Sequence, residues 1–188
     1  MRVRAGVEIL RKYAKLRKNR ADIERPGGTE KSGKDAEAMT KILFVCHGNI
    51  CRSPMAEFIL KHMVRQAGWE KQFLIDSAAV SREEIGNPVY PPARHVLMAH
   101  GIACGAHAAR QITKADYSAY DLLIGMDRSN LSGMRRIFGG DAEGKLRLLL
   151  DFTGEPRDVA DPWYTDDFEA AYRDIEAGCR ALLAQLSN

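Results

Sequence analysis

The chain has 188 residues, 45% of them hydrophobic and 28% charged, with a formal net charge of +3. That is enough chain for one domain with a full apolar core. No apolar run approaches the ~20 residues a membrane-spanning helix needs, and the basic N-terminal stretch is not followed by the apolar region of a secretory signal. The charge is uneven: residues 1–40 carry 11 Lys+Arg against 6 Asp+Glu, whereas residues 41–188 carry 17 against 19. The body of the chain is therefore slightly acidic, which argues against a nucleic-acid binder.

Residues 1–24 are compatible with a basic helix carrying Val7, Leu10 and Ala14 on one face, and RPGGTEKSGKDAEA (25–38) reads as a flexible linker. Met39 then stands directly before an apolar run. Two readings of this segment stand side by side, with disorder expected in both. One is an upstream extension ahead of a start at Met39, and the other is a basic arm that contacts a partner or an anionic surface.

From Lys41 onward, strands and helices alternate. KILFV (41–45) suits a buried parallel strand. Residues 53–66 read as a helix with Ser53 at the N-cap, Pro54 at the first helical position, and Met55, Phe58, Ile59 and Met63 on one face. FLIDSA (73–78) is a second strand, and residues 91–100 are a helix entered through GNPVYPPA. YDLLIGM (120–126) is a third strand, 128–138 a helix, KLRLLL (145–150) a fourth strand and 166–187 a last helix. The pattern predicts an α/β three-layer sandwich, a four-stranded parallel sheet flanked by helices. In such sheets the site lies beyond the carboxyl ends of the strands.

VCHGNICRSP (45–54) falls at that place, between the first strand and the first helix. A helix N-terminus offers unpaired N–H groups and a positive dipole end, which together bind anions. Gly48 and Asn49 tolerate the left-handed dihedrals that turn a loop's N–H groups inward as a nest. Arg52 adds a planar fork of donors matched to two phosphate oxygens. Neither GxxxxGK[ST] nor its lysine is present, so this is not a nucleotide P-loop. Cys46 sits at the mouth of the loop, where the field that binds an anion also stabilises a thiolate suited to in-line attack, and Ser53 can donate to its sulfur. The bland alternative is a buried strand-end cysteine beside a surface arginine. The strand–loop–helix placement argues against it.

The four cysteines are Cys46, Cys51, Cys104 and Cys179, with no CxxC pair and no zinc-like Cys/His spacing. Free thiols in a reducing compartment are the default. Cys179 lies on the apolar stripe of the last helix, and Cys104 receives no role. A general acid for ester cleavage is offered by DVADPWYTDD (158–167): Asp161, stiffened by Pro162 and followed by Trp163 and Tyr164, which can wall a pocket for an aromatic ring. A turn residue ahead of a helix is the competing reading of Asp161.

FVCHGNICRSPMAE, DSAA, IGNP, HGI, ARQIT, MDRSNL and DPWY occur in the order and spacing of the low molecular weight protein tyrosine phosphatases. The resemblance covers residues 41–188 as a phosphatase domain and leaves 1–40 outside as a basic extension and linker. It implies that Cys46 is the nucleophile that becomes a phosphocysteine. It implies a phosphate-binding loop of His47, Gly48, Asn49, Ile50, Cys51 and Arg52, with Asp161 as the proton donor. It further implies that Ser53, Ser77 and His100 help Asn49 hold the loop. A simpler role for His100 is to favour the end of its helix, just before Gly101. The resemblance implies no metal or organic cofactor, a cytoplasmic enzyme, and a phosphotyrosine protein as substrate, in bacterial relatives often a tyrosine autokinase.

Two departures make the pocket rim more polar. His47 follows the nucleophile where an apolar residue is common, and Glu83, in VSREEIG, stands where an aromatic often packs on the substrate ring. The expected pocket is His47, Ile50, Glu83, Trp163 and Tyr164. A protein-arginine phosphatase on this scaffold resembles the loop but carries threonine in place of Ile50. An arsenate reductase needs a further reactive cysteine pair, and here only Cys104 and Cys179, 75 positions apart, remain. A non-catalytic phosphoprotein-binding module is expected to have lost the nucleophile, the arginine or the acid. Cys51 is either a small packing residue or, as the resemblance implies, the thiol that traps oxidised Cys46 as a disulfide.

Overall fold

In the computed structural model, which describes residues 39–187, the run TKILFVC forms β1 (Thr40–Cys46). Ile42, Leu43, Phe44 and Val45 are all fully buried, as expected of a central parallel strand covered on both faces. β1 pairs with β2 (Phe73–Ala79) from Thr40↔Phe73 to Cys46↔Ala79, and with β3 (Leu122–Gly125) from Ile42↔Leu122 to Val45↔Gly125. β3 pairs with β4 (Leu146–Leu148), giving a parallel sheet of order β2-β1-β3-β4.

Alternate residues divide the core in two, because side chains point to opposite faces along a strand. Ile42, Phe44, Ile75 and Ile124 join one cluster with α1 (Arg52–Gln66), α2 (Pro91–Ala99) and α6 (Phe168–Ser187). Leu43, Val45, Leu123 and Leu146 join the other, with Tyr120 and with Met134 of α4 (Arg128–Phe138). These are the three layers expected from the sequence. No helix among the described residues is long and apolar enough to cross a membrane.

Most boundaries shift by only one or two residues from the sequence reading, and three larger differences stand out. α3 (Lys114–Ala119) was not anticipated; six residues are too few to show periodicity, although Thr113 and Asp116 form a capping box that marks its start. β4 stops after Leu148, where the chain tightens into a 3-10 turn over Leu149–Thr153 and Asp151 Oδ2 accepts from Leu148 N at 3.2 Å. The Asp-Pro-Trp-Tyr stretch is the short helix α5 (Pro162–Thr165), capped by Asp161, which accepts from Trp163 N at 3.1 Å. The expected basic helix and linker of residues 1–38 lie outside the described residues.

The turn after β4 sets how closely α6 approaches the sheet. A Cβ on Gly178 would stand 2.5 Å from Leu149 Cγ, inside the distance side chains can share. Gly178→Ala should therefore reverse the usual helical gain of ~1 kcal/mol and cost about 1–3 kcal/mol by overpacking. Thermal melting checks this. An unchanged or higher midpoint would show that Leu149 yields.

Candidate active site

β1 delivers Cys46 at its carboxyl end, and the chain turns through residues 47–51 into α1. Asn49 has φ 60° and is completely buried. Asparagine is among the few side chains that accept the left-handed region. The turn directs the loop's carbonyls outward. Cys46 O accepts from Val80 N (3.0 Å), His47 O from Ser81 N (3.0 Å), Ile50 O from Tyr90 N (2.8 Å) and Cys51 O from Met55 N (3.1 Å). Asn49 O accepts from His107 Nε2 at 2.7 Å, which fixes a proton on that nitrogen. A trans peptide holds its N–H opposite its C=O, so the amides of residues 47, 48, 50, 51 and 52 face the inside of the loop. Asn49 N donates to Cys46 Sγ at 3.2 Å. This is the geometry of an anion cradle.

α1 begins at Arg52, one residue earlier than expected, and its N-cap is Cys51, with no side chain capping it. Ser53 is therefore not the cap. Its hydroxyl turns inward, 3.0 Å from Cys46 Sγ, and accepts from Asn49 Nδ2 at 3.0 Å. Having accepted that bond, the hydroxyl can direct its proton to the sulfur or to Ala78 O at 3.3 Å. Asn49 Nδ2 also donates to Ser77 Oγ at 2.8 Å, and Ser77 Oγ donates to the buried Glu57 Oε2 at 2.5 Å. An uncapped first turn keeps the helix N–H groups available to a ligand.

Arg52 is buried and held from three sides. Nη1 donates to Asp127 Oδ2 at 2.7 Å and to Val159 O at 3.1 Å, and Nη2 bonds Asp161 Oδ2. Val159 is in turn fixed by donating from its N–H to Met126 O at 2.8 Å. The ends of β1, β3 and the 158–161 loop thus meet on one guanidinium.

Cys46, His47, Gly48, Ile50, Cys51, Arg52, Glu83, Glu84, Asp161, Trp163 and Tyr164 line one cavity of about 160 Å³. Cys46 is 3% exposed and lies at its floor. His47 Nε2 meets Glu83 Oε2 across the rim at 2.8 Å. Trp163 is 56% and Tyr164 85% exposed, and Trp163 is backed by Tyr90, ring centroids 5.3 Å apart. A cradle of inward amides, a thiol at its floor, a guanidinium and a carboxyl at its edge, and an aromatic wall together suit binding and cleavage of an aryl phosphate.

The comparisons agree with this geometry. The family described as low molecular weight phosphotyrosine protein phosphatase matches residues 41–188. The chain is 37% identical over 150 residues to the low molecular weight protein-tyrosine-phosphatase YfkJ of Bacillus subtilis (strain 168), covering 79% of this chain and 96% of that one. On the crystal structure of YfkJ the TM-score is 0.78 at 36% identity, with 82% and 98% coverage. The Homo sapiens low molecular weight phosphotyrosine protein phosphatase is 39% identical over 154 residues, 79% of this chain and 97% of that one. The crystal structure of a Drosophila arginine phosphatase is also similar, at 31% identity, TM-score 0.72, and 79% and 99% coverage.

This chain belongs to the low molecular weight phosphotyrosine protein phosphatase family. It is accordingly a phosphoric monoester hydrolase of the protein-tyrosine-phosphatase type.

Within this phosphatase, one expected loop residue needs correction. His100 does not support Asn49. It is the C-cap of α2, bonds Glu169 Oε1 at 2.8 Å and stacks on Tyr172 at 3.8 Å. His107 supplies the imidazole at the loop. HGIACGAH holds two histidines seven apart, and local pattern does not tell which one the chain folds back onto β1. Glu57, Glu84, Arg110 and Asp127 were also missed. Glu57 falls on the buried face of α1 amid apolar residues, and a carboxylate in such a stripe was the available signal. Asp127 bears a side-chain cap, accepting from Asn130 N at 2.7 Å, and the MDRSNL motif contained it.

Burial pushes the Cys51 thiol up to about 12, with nearby Cys46 adding in the same direction, and burial also pushes Cys179 up. A raised value keeps both as neutral thiols below that range. Iodoacetamide at pH 8 should therefore leave Cys51 and Cys179 unmodified in the folded phosphatase and label both in urea. Mass spectrometry of peptides reads the result, and rapid native labelling of Cys51 would contradict its burial.

Proposed function

We propose that the phosphatase hydrolyses phosphotyrosine in proteins through a phosphocysteine on Cys46. The observation that carries this reading is the Cys46 sulfur at the floor of inward-facing amides, with Arg52 held beside it by Asp127 and Asp161. The phosphate settles on the amides of residues 47, 48, 50, 51 and 52 and on the Arg52 guanidinium, with Asn49 N on the Cys46 sulfur. Cys46 attacks phosphorus, the S–P bond forms as the P–O bond to the ring breaks, and Asp161 protonates the leaving oxygen. Asp161 then takes a proton from water as that water attacks the phosphocysteine. Inorganic phosphate leaves and the thiolate returns. Ile50, Trp163 and Tyr164 line the path of the aryl ring, with His47 and Glu83 forming its polar edge.

Cys46→Ser is expected to abolish turnover of p-nitrophenyl phosphate while retaining vanadate binding, because backbone and Arg52 form the cradle. Substantial residual hydrolysis would remove Cys46 from the nucleophile role. Asp161→Ala should slow hydrolysis by about 10²–10⁴-fold for poor leaving groups and least for good ones. An equal loss across phenols of different acidity would count against a general acid.

A second reading, hydrolysis of phosphoarginine, is favoured by the likeness to the Drosophila arginine phosphatase. Ile50 and the aromatic pair Trp163–Tyr164 support phosphotyrosine instead. A panel of phosphotyrosine, phosphoserine and phosphoarginine peptides decides between them. An arsenate-reductase relay finds little support, because Cys179 is fully buried among apolar side chains.

We also propose a redox role for Cys51. Peroxide oxidises the Cys46 thiolate to a sulfenic acid, and the Cys51 thiol condenses with it, releasing water and forming a disulfide that a dithiol reduces. Wild type should regain activity after peroxide and then dithiothreitol, whereas Cys51→Ser should recover poorly. Equal recovery would leave Cys51 as a packing residue. The family resemblance is the support for a cytoplasmic setting and for a tyrosine autokinase as one substrate.

A further inference from the structure

Asn49 carries the cradle, and its side-chain amide has two ends. Nδ2 donates to Ser77 Oγ at 2.8 Å, and Oδ1 accepts from Arg110 N at 3.1 Å. These two partners lie on separate segments, β2 and the loop before α3. The segments are tied to each other by the residues on which the partners sit. Ser77 N donates to Asp76 Oδ1 at 2.8 Å, and Arg110 Nη2 lies 3.4 Å from Asp76 Oδ2. Asn49, Ser77, Asp76 and Arg110 therefore close a ring of four interactions.

The ring is braced from outside. Buried Tyr120 donates from its hydroxyl to Asp76 Oδ2 at 3.0 Å. Arg110 Nη1 lies 3.2 Å from Asp116 Oδ1, and Asp116 is fixed in the capping box by Thr113 N at 2.6 Å. The backbone of residue 110 is pinned as well, since Ala79 N donates to Arg110 O at 2.7 Å. Burial and then Asp76 push the Tyr120 phenol up to about 12, so it remains a donor at assay pH.

We propose that Asp76 and Arg110 are positioning residues that lock the Asn49 amide in one orientation and so hold the phosphate loop in its binding shape. Neither touches the cavity. With the ring closed, Nδ2 can face only the hydroxyls of Ser53 and Ser77, and Oδ1 only the Arg110 N–H. If the ring opens, the amide can rotate and the left-handed turn at Asn49 loses its restraint. The carbonyls facing outward then no longer guarantee inward amides. Both side chains of the pair are more than a third exposed, so the pair contributes little to stability. Its effect belongs to loop geometry.

The catalytic part of this inference rests on the phosphatase reading above. Asp76→Asn and Arg110→Met should each lower kcat for p-nitrophenyl phosphate about 3- to 30-fold and weaken vanadate binding, with little change in melting temperature. Asp76→Asn is isosteric and keeps the bond from Ser77 N, so it also serves if Arg110→Met folds poorly. The double variant should be no worse than the poorer single one, because either change opens the same ring. Arg110→Lys should recover part of the loss. Tyr117→Phe, which loses a distant bond to Asp141, is the control for a general packing defect and should keep kcat. Hydrogen exchange of the Asn49 side-chain amide, followed by nuclear magnetic resonance, should accelerate in both ring variants. That readout needs no turnover, so it separates failure of the ring from failure of the phosphatase reading. Unchanged kcat and exchange in Asp76→Asn, or losses that multiply independently in the double variant, would overturn the proposal.

Discussion

The left-handed backbone at Asn49 is the constraint on which the site depends. A loop leaving a parallel strand does not by itself turn the amides of residues 47, 48, 50, 51 and 52 toward one point. One residue must reverse the chain, and a buried non-glycine residue does so only when its polar groups are satisfied. Asn49 meets this condition with a bond at N, at O and at both ends of its amide. The strands supply the partners: Ser77 comes from β2, paired beside β1, and Arg110 and His107 from the segment that bridges to Ala79. The sheet therefore shapes the cradle as well as presenting it.

Arg52 shows a second consequence of the same architecture. A buried guanidinium needs charge partners and full hydrogen bonding, and here Asp127, Asp161 and Val159 O supply them. Asp127 caps α4, so its place is set by the end of β3, whereas Asp161 sits on the loop before α5. Both carboxylates cap helices, but α4 follows β3 closely and runs for 11 residues, whereas α5 is a 4-residue turn at the end of a connecting loop. That difference suits the role proposed for Asp161, which turns toward a substrate oxygen while Asp127 keeps its hold on the arginine.

The rim is asymmetric. Trp163 and Tyr164 make one aromatic wall, in which Trp163 is backed by Tyr90 and Tyr90 in turn packs on Phe168. Across the cavity stand the His47–Glu83 pair and Glu84, whose side chain lies close over Gly48. A side chain at position 48 would meet Glu84 Cγ at 3.0 Å, so this glycine lets the polar edge sit directly on the cradle. The floor has the form of an anion cradle, and the edge opposite the aromatic wall is polar.

The α/β order, four strands, the strand–loop–helix junction and the convergence of Cys46, Arg52 and Asp161 on one cavity were legible in the sequence. Each is written locally: short continuous apolar runs and period-3.6 patterns mark the elements, and Cys-x5-Arg-Ser-Pro and Asp-Pro-Trp-Tyr are contiguous motifs. Helix boundaries were nearly so, although Ser53 was read as a cap because residue type alone does not show that its hydroxyl has better partners in Asn49 and Cys46. The choice of His107 over His100, the role of Arg110 and the partnership of Glu57 with Ser77 were decided only by the tertiary structure. These contacts join residues 20 to 61 positions apart. Their geometry depends on which side of β1 each returning segment passes, and sheet register sets that rather than any residue's neighbours in the chain.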